Sequence, residues 1–115
     1  MPSFMKSPEA LVARFDAVAE RHPAGERRKM FGYPALFVGG NLATSLYEDG
    51  WCVRLSAEDC AAVLALPGAR PFSPMAGRTM KGWAVLPPDV VADDAELDAW
   101  IGRAMAFAGS LPPKL

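Results

Sequence analysis

Residues 28–41 read RKMFGYPALFVGGN, and this stretch decides which kind of fold the chain adopts. Two basic residues run into an apolar segment that is interrupted by Gly32 and Pro34 and ends at Gly39-Gly40. Adjacent glycines between apolar runs favour a tight hairpin, because both central residues of the turn take positive φ without steric cost. The centre of the chain is therefore predicted to be a β-meander.

Four strands are predicted around and after this turn. Residues 35–38 and 42–47 flank the Gly39-Gly40 turn, and residues 51–55 and 80–86 form the further strands. Glu48-Asp49-Gly50 is predicted to turn the chain into the third of these strands, with Asp49-Gly50 as the pair that favours a hairpin. In that strand the alternation of side chains places Val53 on the buried face and Arg54 on the opposite face.

Amphipathic helices are predicted on both sides of the strands. The first begins at Ser7, an N-cap hydroxyl, followed by Pro8 at the first helical position. Ser56 caps a short second helix, and Asp93 caps a last helix that Gly109 ends. The apolar residues at helical spacing, which should face the sheet, are Leu11, Phe15 and Val18, then Cys60, Val63 and Leu64, then Leu97, Trp100, Ile101, Ala104, Met105 and Ala108.

This order of elements predicts an α+β fold. Successive hairpin-linked strands with separate helices indicate a two-layer sandwich, in which helices pack on an antiparallel sheet of about five strands. The chain is expected to be one domain over residues 1–115, with tails at 1–6 and 110–115. The connection at 69–77 is rich in proline and glycine and is predicted to be a surface loop.

Composition and charge exclude several classes of function. The formal net charge is −1, so direct binding of nucleic acid is not expected. The sequence has no continuous apolar run of about 18 residues and no secretory signal at its start. The prediction is a protein of the bacterial cytoplasm with no membrane association.

The sequence offers little catalytic chemistry. Cys52 and Cys60 are the only cysteines, and their spacing indicates buried free thiols rather than a metal or redox motif. His22 is the only histidine, and at the end of the first helix its cation would favour the helix dipole. The acidic residues 89–96 are typical of a solvated helix start rather than a calcium loop. We therefore predict no catalytic residue, metal ligand or cofactor.

The basic residues are the stronger functional candidates. They lie before the first predicted strand and on both sides of the 69–77 loop. If the loop folds over the sheet edge, they form one positive patch for an acidic partner or a phosphate; otherwise they are scattered solubilising charges. The predicted interaction residues are Arg28, Lys29, Phe31, Arg70, Arg78 and Lys81.

Much of the chain resembles the TfoX N-terminal domain family. The similar segments are KMFGYPALFVGGNLATSLYEDGWCVRLS at 29–56, LPGARPF at 66–72 and PMAGRTMKGWAVLP at 74–87, followed by the final helix. The most specific positions are Met30-Phe31-Gly32, Gly40-Asn41, Phe72, Gly77-Arg78 and Met80.

The resemblance implies a fold and a class of function. It implies a two-layer architecture similar to secretion chaperones and a link to the regulation of natural competence in bacteria. The full regulators of this family are thought to act through the cyclic-AMP receptor protein as coactivators without enzymatic activity. Here Tyr33-Pro34-Ala35 stands where those regulators usually keep a second glycine, and their C-terminal helical domain has no counterpart in this sequence. The chain is most similar to the short stand-alone members.

The predicted function is a non-enzymatic regulatory or protein-interaction module. Its expected partner is an unidentified protein such as a transcription regulator, and exposed sheet edges are compatible with a homodimer. The alternative hypothesis is a small-ligand-binding domain, or an enzyme that uses Cys52 or Cys60 in a pocket between the sheet and the helices.

Overall fold

The computed structural model describes residues 6–73 and 80–113. Its elements are α1 (Glu9–Glu20), β1 (Glu26–Met30), β2 (Tyr33–Val38), β3 (Asn41–Tyr47), β4 (Gly50–Arg54), α2 (Ala57–Leu64), β5 (Arg70–Pro71), β6 (Trp83–Val85), α3 (Pro88–Ala92) and α4 (Asp94–Ser110). The strands form one six-stranded sheet in the order β1-β2-β3-β4-β6-β5, and every pair is antiparallel. The predicted α+β class is confirmed, with six strands instead of about five.

Two-residue turns connect the first strands into the predicted meander. Gly39 and Gly40 form the turn between β2 and β3 with φ angles of 58° and 80°, as predicted. Tyr47 pairs with Gly50, so Gly50 lies in β4 and the next turn is centred on Glu48-Asp49. The predicted turn Glu48-Asp49-Gly50 is therefore correct in place but one residue too long, the Asp49-Gly50 pair is not its centre, and Glu48 takes the positive φ of 53°.

The sequence interpretation missed strand β1. Its residues ERRKM are all exposed, and they pair through the backbone with β2 from Met30↔Tyr33 to Glu26↔Phe37. A strand at the edge of a sheet with no buried face carries no hydrophobic alternation, which is the signal that identifies strands from sequence. The same reason explains why the two-residue edge strand β5 was predicted as loop.

The main core lies between one face of the sheet and the helices. On the sheet side it contains Leu36, Leu46, Trp51 and Val53, and Phe15 of α1 stacks on Trp51 with ring centroids 5.1 Å apart. Most of the predicted helical stripe is confirmed. The buried helical residues of this core are Phe15, Val18, Cys60, Val63, Val90, Leu97, Ile101, Ala104, Met105 and Ala108.

The helix caps were only partly predictable. The Ser56 hydroxyl accepts a hydrogen bond from the Asp59 N–H, and the Asp93 carboxylate accepts hydrogen bonds from the N–H groups of Ala95 and Glu96, as expected for N-caps. Ser7 is not the cap of α1, because its hydroxyl donates to the Glu48 carbonyl oxygen at 2.6 Å and Pro8 occupies the cap position. Gly109 does not end α4, which continues to Ser110.

Further details correct the sequence interpretation. Leu64 was predicted to be buried but is 38 % exposed, and Trp100 is only half-buried. The strand predicted over 80–86 is shorter, since β6 covers only Trp83–Val85. The short helix α3, which was not predicted, begins at Pro88, two residues after the predicted end of that strand. Proline is favourable at this position because the first helical residue has no intrahelical acceptor for its N–H.

A second apolar cluster lies on the opposite face of the sheet, which we call the outer face. Cys52 points there because it alternates with Trp51 and Val53, and it packs with Trp83 and Val85. No residue of a described helix belongs to this cluster. Aromatic rings continue across the outer face, with centroids of Tyr33–Tyr47, Tyr47–Phe72 and Phe72–Trp83 at 5.4, 5.4 and 6.1 Å.

Candidate functional site

An apolar groove of about 170 Å³ opens on the outer face. It brings together the tip of the β1–β2 hairpin, the outward-facing side chains of β3 and the residues next to β6. We call it the outer-face groove, and its lining residues are Met30, Phe31, Tyr33, Leu42, Ser45, Leu46, Tyr47, Phe72, Met80 and Trp83.

Phe31 stands at the mouth of this groove in a strained turn. Phe31 and Gly32 form the two-residue β1–β2 turn with φ angles of 54° and 84°, and the Phe31 side chain is 80 % exposed. A residue with a Cβ in the left-handed region costs about 1–2 kcal/mol relative to ordinary backbone, and turns of this kind favour Asn-Gly. The chain therefore holds an aromatic side chain in water where folding alone favours a small polar residue.

The other exposed apolar side chains cluster with Phe31. Met30 is 36 % exposed and Met80 is 42 % exposed, and both line the outer-face groove. Among the described residues, the remaining large exposed hydrophobic side chain is Leu64 on α2, which is not a lining residue. Concentrated apolar exposure of this kind is typical of a binding surface.

Lys29 and Lys81 are the sequence neighbours of two groove residues, Met30 and Met80. Lys29 precedes Met30 in β1, so strand alternation points its side chain to the opposite face, where it lines a separate cleft with Val12 and Arg27, and Lys81 follows Met80. Within residues 6–73 and 80–113, neither lysine forms an ion pair with a carboxylate. These two charges remain available to an acidic partner.

Arg28, in contrast, is already paired. Its Nε and Nη2 donate to the two carboxylate oxygens of Glu26, each at 3.0 Å, and its guanidinium lies 5.3 Å from the centre of the Phe37 ring. The hydrogen bonds that Arg28 donates to Glu26, and the charge of that carboxylate, raise the pKa of Arg28 above its ordinary value. Glu26 therefore compensates the Arg28 charge locally.

The structure separates the basic residues that the sequence interpretation grouped in one patch. Arg28 and Lys29 lie on β1 and Arg70 lies on β5, which are the two opposite edges of the sheet. Arg78 lies outside the described residues. Phe31 and Met80, the residue before Lys81, both line the outer-face groove, whereas Lys81 itself is not a lining residue.

Arg70 lies at a different site, an open cleft of about 750 Å³ near the β5 edge. We call it the Arg70 cleft, and it is lined by Arg14, Asp49, Gly50, Trp51, Gly68, Arg70, Val85, Leu86, Pro88, Val91 and Ala92. A smaller cleft of about 370 Å³ shares the lining residues Asp49, Gly50, Arg70 and Val85. Among the described residues, Arg70 pairs with no carboxylate.

Arg14, the other arginine of the cleft, is held in place. Its Nε donates to the Val91 carbonyl oxygen at 2.6 Å, and its Nη2 lies 2.7 Å from the Asp94 carboxylate. The second contact is an ion pair without hydrogen-bond alignment, because the buried Nη2 has no hydrogen-bond partner among the described residues. Asp94 thus offsets most of the positive charge that Arg14 brings to the cleft wall.

Neither cysteine is prepared to act as a nucleophile. Both are free and buried, as predicted. Burial raises the pKa of the Cys52 thiol to about 12, although the nearby charge of Arg70 opposes this change, and burial also raises the pKa of Cys60. Because the thiolate is the reactive form, these thiols are protonated and unreactive at neutral pH.

His22 connects two helices. Its Nε2 lies 2.9 Å from Asp98 Oδ1 on α4, and Arg21 Nε donates to the same oxygen at 3.2 Å. The hydrogen bond from His22, followed by that from Arg21, lowers the pKa of Asp98. Within the described residues, no group of three or more histidine, cysteine, aspartate or glutamate side chains is arranged to hold a metal ion.

Sequence reasoning named Phe31 and Arg70 but missed the groove and the cleft around them. For the groove, Phe31-Gly32 is not one of the dipeptides that indicate a two-residue hairpin turn, and β1 before it shows no hydrophobic alternation. The Arg70 cleft also lacks a sequence signal, because β5 is too short to be identified.

These features define a small two-layer α+β domain with an apolar groove on one sheet face and a basic cleft at the sheet edge. The sequence model of the TfoX N-terminal domain family matches residues 11–108. The chain therefore belongs to the TfoX N-terminal domain family, which confirms the resemblance. No curated protein and no solved structure matches the chain. None of the described helices is both long enough and apolar enough to span a bilayer.

Proposed function

We propose that this domain is a non-enzymatic regulatory module that docks a partner protein at the outer-face groove. The observation that carries the proposal is Phe31, an aromatic residue 80 % exposed at a positive φ of 54°. Strained residues persist where the surrounding structure imposes them, and they concentrate at binding sites. Burial of Phe31 by a partner supplies a reason for both the strain and the exposure.

The groove and its neighbours suggest the chemistry of the partner. A cavity of about 170 Å³ has room for one large apolar side chain, and its aromatic walls favour such an anchor. Lys81, which follows the groove residue Met80 and forms no ion pair with a described carboxylate, favours acidic residues beside that anchor. The proposed ligand is therefore a protein segment with one apolar anchor flanked by aspartate or glutamate.

Family membership supports the regulatory part of the proposal. The TfoX N-terminal domain family suggests a role related to competence and is not a known enzyme family. The unreactive state of Cys52 agrees with a non-enzymatic module. A transcription regulator in the bacterial cytoplasm is the class of partner we propose, and direct contact with nucleic acid is not part of the proposal because the net charge is −1.

Photo-crosslinking from the hairpin tip tests this function. The change Phe31→p-benzoylphenylalanine places the crosslinker at the groove mouth, and Leu64→p-benzoylphenylalanine places it on the exposed apolar residue that does not line the groove. Crosslinking in the native cell, followed by mass spectrometry of the joined peptides, is expected to give one dominant product from position 31 and none in common with position 64. The crosslinked peptide should contain an apolar residue next to acidic ones.

A competition experiment then checks that the Phe31 side chain itself binds. Phe31→Asn is expected to weaken binding of the crosslinked segment, made as a synthetic peptide, by about tenfold or more, because a buried aromatic anchor contributes most of the energy of such contacts. Leu64→Asn should leave the affinity unchanged. Equal affinity of the wild type and Phe31→Asn would contradict the proposal, as would a crosslink to a second copy of this chain, which would make the groove a homodimer interface.

A further inference from the structure

Arg70 differs from most arginines of the described residues in having no anionic partner. The arginines that form ion pairs with carboxylates are Arg14, Arg21, Arg27, Arg28 and Arg103. Arg54 and Arg70 form none within residues 6–73 and 80–113, and of these two only Arg70 lines the 750 Å³ cleft. An unpaired guanidinium in a cleft is available to an anion from solution.

Gly50 makes room for this guanidinium. A Cβ built on Gly50 would lie 3.4 Å from Arg70 Nη2, 3.3 Å from Val85 Cγ1 and 3.3 Å from the Tyr47 carbonyl oxygen. The φ angle of Gly50 is not in the left-handed region, so the backbone conformation does not require glycine here. The absence of a side chain instead leaves space in which Arg70 lies against bare backbone of β4.

The rest of the cleft is amphipathic and carries few other charges. Val91 is a half-buried apolar lining residue, and Trp51, Val85 and Leu86 also line the cleft but are only 1, 6 and 3 % exposed. Asp49 is an acidic lining residue that forms no ion pair with Arg70. Asp94 offsets the charge of Arg14 on the other wall. The cleft therefore offers one fork of N–H donors that is not in ion-pair contact with a described carboxylate, beside a small apolar patch, and with Asp49 also on the wall it matches a monoanion with an apolar body better than a dianion.

We propose that the Arg70 cleft binds a small organic carboxylate. The guanidinium of Arg70 receives the carboxylate in a two-pronged hydrogen-bonded pair, and the hydrocarbon part of the ligand lies against the apolar lining residues. The site uses none of the residues that line the outer-face groove, so it goes beyond the docking function and stands or fails independently of it.

Titration with a defined probe tests the proposal. The full chain, labelled with ¹⁵N, is titrated with phenylacetate, with its neutral counterpart phenylacetamide and with inorganic phosphate, and amide shifts are followed. Phenylacetate is expected to give saturable shifts centred on Gly50, Gly68 and Arg70. Phenylacetamide should bind at least about tenfold more weakly than phenylacetate, because it cannot form charge-assisted hydrogen bonds with Arg70.

Variants separate the site from a general charge effect. Arg70→Gln is expected to weaken phenylacetate binding about tenfold or more, and Gly50→Ala should weaken it while keeping the charge. Arg54→Gln, which removes the other unpaired arginine, and Phe31→Asn should bind like the wild type. Melting curves of all four variants confirm folding, and Arg70 is exposed enough for its replacement to be tolerated.

Three results would overturn the proposal. The first is the lack of saturable phenylacetate shifts in the folded wild type. The second is equal binding by wild type and Arg70→Gln. The third is phosphate binding as tight as that of phenylacetate with no shifts at the apolar lining residues, since this would show that only charge is recognised.

Discussion

The two faces of the sheet are built from alternate residues of the same strands, yet one is buried under helices and the other is partly exposed. Trp51 points to the inner face, where it is 1 % exposed, stacks on Phe15 and donates its Nε1–H to Thr44. Its neighbour Cys52 points to the outer face, where the described helices contribute nothing to the apolar cluster. At the rim of that outer cluster Phe31 is 80 % exposed.

The difference shows that apolar character alone does not identify a core. Both faces carry aromatic and aliphatic residues, so the sheet does not show the alternation of apolar and polar side chains that is expected when one face is solvated. Helices bury the central part of the inner face, whereas rings such as Phe72 and Trp83 cover the outer face only in part. The remaining exposed area is where a partner gains most by binding.

The largest effect should come from truncating the centre of the inner face. Trp51→Ala is expected to lower the free energy of unfolding by about 3–5 kcal/mol, because it removes a large buried ring and leaves a cavity. Urea denaturation measures this loss. Trp83→Ala on the outer face should cost less, and an equal or larger loss for Trp83 would break the distinction between the faces.

The polar link inside the inner face should have the next largest effect. Trp51 Nε1 donates to Thr44 Oγ1 at 2.9 Å, and that hydroxyl donates to the Cys52 carbonyl oxygen at 2.6 Å. Thr44→Val keeps the shape but leaves the indole N–H without an acceptor, which costs about 1–3 kcal/mol. Chemical denaturation should show a clearly smaller loss of unfolding free energy for Ser45→Ala, because the Ser45 side chain lies on the outer face of the sheet, where it lines the outer-face groove. Equal losses for the two variants would argue against the link.

The sequence predicted those parts of the fold that have a buried face of their own. The stripes of α1 and α4 were identified because apolar residues at helical spacing must be buried together. The caps at Ser56 and Asp93 were identified because the capping bond is local. Ser7 was misassigned because its hydroxyl bonds to Glu48, a residue 41 positions away that no local pattern reveals.

The candidate sites were less predictable because they depend on the order of the strands. β6 inserts between β4 and β5, so Arg70 lies at the sheet edge opposite Arg28. The two-residue strand β5 has no pattern from which this order could be derived. Phe31 could be selected from the sequence, but the groove that it lines together with Met80 required the three-dimensional arrangement.

Phe31→Asn should sharpen the comparison, since it alters the outer face without loss of stability. Asparagine tolerates positive φ better than phenylalanine, so the free energy of unfolding should stay the same or rise by about 1 kcal/mol or less. Thermal melting of this variant beside Trp51→Ala tests the contrast. A loss of stability above about 1 kcal/mol would mean that Phe31 serves the fold, as a core residue does.

The smallest effect is expected at the solvent side of the helical layer, and it depends on pH. The hydrogen bond from His22, followed by that from Arg21, lowers the pKa of Asp98 below its ordinary value of 3.8. The ionised carboxylate therefore stabilises the fold at pH values above 3.8, and this contribution is lost as the pH falls from there through the lower, folded-state pKa.

Because the Asp98 side chain is 40 % exposed, solvent screening should keep its contribution below about 1 kcal/mol. Unfolding free energies of the wild type and Asp98→Asn, measured from neutral pH down into the acid range, are expected to differ most above pH 3.8 and to converge below it. His22→Gln should remove most of the same difference, since its hydrogen bond is the largest cause of the lowered pKa. A gap between wild type and Asp98→Asn that stays constant down to the lowest pH would show that Asp98 stabilises the α1–α4 contact by packing and not by its charge.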